Sequence, residues 1–123
     1  MKFFSIVFLS LLVLQASAQN DLNEASGNWS GSIEVPGQSL KVIFHISHKG
    51  TVLTATMDSP NQGAYGLKLD KVAFKENELT MKMNQIQGSY KGILKDDFFD
   101  GTWTQSGQSF PLKLTRIKRE GKS

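Results

Sequence analysis

The chain has 123 residues, 39% hydrophobic and 20% charged, with 11 Gly, no Cys and a formal net charge of +3. These proportions describe one soluble globular domain and exclude two ordinary domains, a disordered chain, collagen and a coiled coil. With no Cys there are no disulfides, so a small domain of this kind has to be held by burial and sheet hydrogen bonds.

Lys2 is followed by Phe3-Phe4-Ser5-Ile6-Val7-Phe8-Leu9-Ser10-Leu11-Leu12-Val13-Leu14, then by Gln15 and the small residues Ala16-Ser17-Ala18. A basic residue, an apolar run and a small-residue cleavage site read as a secretory signal peptide over residues 1–18, cut before Gln19. The run is well short of the roughly 20 apolar residues that a spanning helix needs. A secreted or periplasmic product with no membrane span after cleavage is therefore expected. Residues 19–26 then read as an N-terminal linker, residues 27–117 as the folded domain, and residues 118–123 as a basic tail. Loss of Lys2 leaves the product nearly neutral, and part of its cationic excess sits in Arg116, Lys118, Arg119 and Lys122. So small a balance argues for a solvated tail and against a nucleic-acid partner.

From Trp29 onward apolar residues fall mainly at spacing two, and Gly, Asn, Asp and Pro recur every eight to twelve residues, the pattern of an antiparallel all-β domain. Trp29, Gly31, Ile33 and Val35 share one face, and Pro36-Gly37-Gln38 supplies a turn. A second strand puts Leu40, Val42, Phe44 and Ile46 opposite Lys41, His45 and Ser47. After Lys49-Gly50, a third strand carries Leu53, Ala55 and Met57 as far as Asp58-Ser59-Pro60. The fourth segment has Leu67 and Leu69, then Val72 and Phe74, so its parity slips at Asp70-Lys71 and a bulge or break is expected there. Leu79, Met81 and Met83 mark a fifth strand, Tyr90, Gly92 and Leu94 a sixth. Phe99, Gly101, Trp103 and Gln105 follow as a seventh, and Phe110, Leu112 and Leu114 as an eighth. Asp21 to Ser26 is the one candidate for a turn of helix.

Eight short strands joined by tight turns predict an eight-stranded antiparallel up-and-down barrel, with a β-sandwich as the alternative; closure removes exposed sheet edges. Gly31, Gly92 and Gly101, each two residues from an aromatic side chain, fit the curvature of a small barrel. The interior of such a barrel either fills with side chains or holds one small ligand.

The segments Gly27-Asn28-Trp29-Ser30-Gly31, Pro36-Gly37-Gln38-Ser39-Leu40, Asp58-Ser59-Pro60-Asn61-Gln62-Gly63, Tyr90-Lys91-Gly92, Gly101-Thr102-Trp103-Thr104-Gln105 and Pro111-Leu112-Lys113-Leu114 occur in that order. Together they resemble an uncharacterised β-rich module found ahead of the catalytic domain in secreted bacterial α/β-hydrolases of the serine-aminopeptidase kind. The resemblance covers residues 27–116. It implies a module standing alone here, without the hydrolase domain, and a separate secreted hydrolase as a possible partner. The aromatic–Gly pairs are also similar to those of calycin-type barrels such as avidins and lipocalins, a likeness of fold that transfers no function.

Catalytic motifs are not evident. Ser30 lies in Gly-Asn-Trp-Ser-Gly, which misses the Gly-x-Ser-x-Gly spacing of a nucleophile elbow. His45 and His48, three apart on or beside a strand, point to opposite faces and make a poor metal site. Asp96, Asp97 and Asp100 resemble part of a calcium loop but lack its spacing and closing Glu. The expectation is thus a non-catalytic binding module, with no metal or cofactor, for a small hydrophobic or amphipathic ligand. The alternative is an accessory module that docks through outward Ile43, Ile93 and Ile117. The candidate site is a barrel mouth. Trp29, Tyr90 and Trp103 would form its walls, Met57, with Met81 and Met83, an adaptable lining, and Gln62 and Gln105 the amide hydrogen bonds.

Overall fold

The computed structural model describes residues 22–118. The leader, its cleavage site and all of the basic tail beyond Lys118 lie outside the described residues. Nine strands follow one another: β1 (Gly27–Val35), β2 (Gln38–Lys49), β3 (Val52–Ser59), β4 (Ala64–Lys68), β5 (Lys71–Lys75), β6 (Glu78–Met83), β7 (Gly88–Lys95), β8 (Phe98–Gln105) and β9 (Gln108–Arg116). They form one antiparallel sheet in the order β4-β3-β2-β1-β9-β8-β7-β6-β5, curled into a half-barrel.

Nine strands replace the eight expected, and the difference arises at the parity slip. Leu69 N–H donates to the Ala55 carbonyl on β3 at 3.0 Å, and the very next residue, Asp70, donates to the Lys82 carbonyl on β6 at 2.7 Å. The chain changes partner between two residues, so the fourth segment becomes two strands. β4 sits Leu67 opposite Met57, and β5 sits Val72 and Phe74 opposite Met81 and Leu79.

Alternation puts the apolar set on the concave side. Val42, Phe44 and Ile46 of β2, Leu53, Ala55 and Met57 of β3, and Leu79, Met81 and Met83 of β6 are all buried. Trp29, Tyr90, Trp103, Phe44 and Phe99 complete the centre, each less than 2% or about 2% exposed. Trp29 meets Phe99 edge-on at 4.6 Å, and Phe44 lies 6.3 and 6.2 Å from the rings of Tyr90 and Trp103. Burial of each such side chain stabilises by about 1.5–3 kcal/mol. These side chains fill the concave side.

The mid-strand glycines have a steric role. Gly92 and Gly101 face each other across β7 and β8, and the Tyr90 ring lies over both, so a Cβ at either position would collide with it. Held there, the Tyr90 hydroxyl donates to the Leu112 carbonyl at 2.9 Å, satisfying both polar groups in the core.

One end of the half-barrel is capped. A helical turn at residues 22–25 brings the Ala25 carbonyl to Trp29 Nε1, which donates to it at 2.9 Å. Arg116 stacks its guanidinium on the Trp29 ring at 4.3 Å and donates to the carbonyls of Ser26 and Glu24. The other end carries the tips of the β1–β2 and β8–β9 hairpins and two 3-10 corners, Pro60–Gln62 and Asn84–Ile86.

Candidate functional site

At this uncapped end a cleft of about 300 Å³ opens between the two hairpin tips and the Pro60–Gln62 corner. The β1–β9 ladder that joins the two hairpins pairs Trp29 with Arg116 and Ser30 with Thr115, away from the tips. At Gly31 the two strands still touch, with the Lys113 carbonyl and the Leu112 and Leu114 side chains against the glycine, and nearer the hairpin tips apolar side chains face the cleft. Ile33, Val35 and Leu40 line it from the first hairpin, Trp103 and Phe110 from the second. Gln62, Gln105, Ser106 and Gln108 supply its polar edge.

Local chemistry sets each of these residues. Ser106 and Gly107 both have left-handed φ, 49° and 86°, so the β8–β9 turn is of the primed kind that matches strand twist and places Gln105 directly opposite Gln108. Trp103 is fixed against Gly88, where a Cβ would run into its six-membered ring, and its indole N–H donates to Gln105 Oε1 at 2.9 Å. The Pro60–Gln62 corner ends at Gly63 in the left-handed region, φ 67° and ψ 24°, and buried Ser59 donates its hydroxyl to Gln62 Oε1 at 3.1 Å.

Of the eight residues expected at the mouth, the cleft gathers Gln62, Trp103 and Gln105, while Met81 and Met83 are buried in the core. Trp29, Met57 and Tyr90 are core: Trp29 sits under Arg116 at the capped end, and Met57 and Tyr90 are buried on the concave side. Both indoles face inward. Missed in the sequence were Ile33, Val35, Leu40, Phe110 and Gln108 as lining; the only signal for them is that alternation runs to the ends of strands whose tips need not pair.

A second polar constellation lies on the convex side, where strand parity aligns Asn28, His45 and Asp58. His45 Nε2 is 2.8 Å from Asp58 Oδ2, its Nδ1 is 2.7 Å from Asn28 Oδ1, and Asp58 Oδ1 accepts from the Gly66 N–H at 2.7 Å. The Gly66 N–H, then the His45 hydrogen bond, holds the Asp58 carboxyl below the usual carboxylate range. Burial pushes the Tyr90 phenol far above its ordinary value. His48 does point away from His45, and its Nε2 meets Asn23 Oδ1 at 2.9 Å. Asp100 pairs with Lys95 at 2.9 Å. Among the described residues no three His, Cys, Asp or Glu side chains are grouped so as to hold a metal ion.

Ile93 and Ile117 are exposed and Ile43 is half-buried, but β2 and β7 are separated by β1, β9 and β8 in the sheet, so Ile43 and Ile93 do not adjoin. Compared with known protein families and with curated proteins, the chain matches none.

Proposed function

We propose that this chain is a secreted, non-catalytic binding module whose ligand seats in the cleft between the hairpin tips. The observation that carries this reading is the lining itself: five apolar side chains converge with three glutamines in a space of about 300 Å³, the size of the smaller natural ligand sites. An apolar body with a polar edge, an amphipathic small molecule, fits it. The packed concave side argues for a ligand at the mouth instead of one enclosed within. His45 on the convex side has both ring nitrogens engaged by Asn28 and Asp58, a role in holding the strands together.

The same reading takes the half-barrel as an eight-stranded calycin-like barrel in which β4 and β5 are halves of one bent strand. Its support is the pair of consecutive hydrogen bonds from Leu69 to β3 and from Asp70 to β6.

The test uses Trp29→Phe, which leaves Trp103 as the lone indole because the chain has two Trp. Titration with medium-chain acyl compounds and short glycans should give a saturable change in Trp103 emission with one class. Leu40→Gln should weaken it without lowering the melting temperature by more than a few degrees. A panel in which no compound saturates, or saturation indifferent to Leu40, would overturn the reading.

A further inference from the structure

One amide of the cleft is oriented before any ligand arrives. An indole N–H can only donate, so the Gln105 oxygen must face Trp103 and its Nε2 must face away. Gln62 also points Oε1 toward the hydroxyl of buried Ser59, at 3.1 Å, but a hydroxyl both donates and accepts, so this contact leaves the amide free to turn. Gln105 has thus used its acceptor on Trp103 and keeps its two N–H donors, for which no hydrogen-bond acceptor is found among the described residues. Both side chains line the one cleft, and among the described residues no charged side chain lines it with them. Gln62, Ser106 and Gln108 can turn to suit any partner, so selectivity falls to the fixed amide of Gln105.

Resting on the binding reading above, we propose that the cleft selects ligands by a carbonyl or carboxylate oxygen carried on an apolar chain, received by the Nε2 group of Gln105. An oxygen that only accepts matches these donors. An ammonium head meets the Gln105 N–H groups with N–H groups of its own and leaves them unpaired against the apolar wall, which is costly.

Three probes with one tail, octanoate, methyl octanoate and octylamine at neutral pH, separate the possibilities by calorimetry. Octanoate or its ester should bind at least roughly tenfold more tightly than octylamine, the scale of one hydrogen bond to a charged acceptor; the order of the first two tells whether the free acid or the ester is preferred. Gln105→Glu is the informative variant. It keeps an oxygen for the Trp103 indole, so the fold and the fluorescence baseline should persist, but it replaces the donor with an acceptor. Octanoate should lose at least roughly tenfold in affinity and octylamine should gain. Gln62→Glu keeps an acceptor for the Ser59 hydroxyl and sets a carboxylate at the same cleft, so it should shift the order the same way but less, which covers the case of one variant folding poorly. If octylamine binds as well as octanoate, and neither variant changes the order, the head-group inference fails while cleft binding stands. If no probe binds and Leu40→Gln is silent, the binding reading fails with it.

Discussion

At the scale of single residues the molecule divides its polar groups between two jobs, and Asp58 shows the structural one. Its carboxylate ties the β4 backbone at Gly66 to His45 on β2, spanning three strands on the convex side. Because the folded carboxyl titrates below its ordinary value of 3.8, its contribution to stability is present above that pH and is lost as pH falls through the lower folded value. Asp58→Asn keeps an acceptor for the Gly66 N–H but carries no charge. Urea unfolding at neutral pH should show the variant about 1–2 kcal/mol less stable. That gap should close in acid below pH 3.8, as the native carboxylate is protonated. A gap of constant size across this range would mean that the charge contributes nothing. The sequence displayed the parity that puts Asn28, His45 and Asp58 outward, yet not the sheet order that makes them neighbours. Parity is local; adjacency depends on which strands pair.

At the scale of elements, the two 3-10 corners are the same device built twice. Each follows a strand-end residue with φ −130°, closes on a backbone bond to its first residue, and exits through the left-handed region. One exit is Gly63 and the other is Gln87, at φ 52° and ψ 43°. A left-handed conformation strains any residue with a Cβ by about 1 kcal/mol. Nothing lies within 4 Å of a Cβ built at Gly63, so Gly63→Ala should cost that backbone strain of about 1 kcal/mol and little else. Gln87→Gly should relieve the same strain, offset in part by glycine's greater freedom when unfolded, for a gain of a few tenths to about 1 kcal/mol. Chemical denaturation of the pair measures both signs; destabilisation by Gln87→Gly would show that its side chain does more than tolerate the turn. The Asp58-Ser59-Pro60-Asn61-Gln62-Gly63 turn was legible from its residue types. Its twin at Asn84 was not, because Gln is not a turn signal.

At the scale of the whole molecule, the curled sheet brings first and last strands together and leaves its two ends unlike each other. Alternation alone foretold an all-β chain with Trp29 and Trp103 inside, but not which end each indole serves, since that requires knowing that the β1–β9 ladder pairs Trp29 with Arg116 and Ser30 with Thr115, away from the tips. Trp29 lies at the capped end, bonded to Ala25 and covered by Arg116; Trp103 lies at the cleft, bonded to Gln105. Two indole N–H protons thus report on two ends of one sheet. Arg116 joins the helical turn to β9 through the Ser26 and Glu24 carbonyls, at 2.7 and 2.8 Å, while its stem covers Trp29. Arg116→Met keeps an apolar stem and removes both donors. It should destabilise by about 1–3 kcal/mol, the worth of charge-assisted bonds that are partly exposed. Hydrogen exchange followed by NMR should then show the Trp29 indole proton exchanging faster, because the turn that accepts its bond frays. The Trp103 proton, behind its own bond to Gln105, should keep its rate once allowance is made for the global loss. Equal acceleration of both protons beyond that allowance would mean that the ends open as one unit, and that disturbing the cap reaches the cleft through the whole sheet.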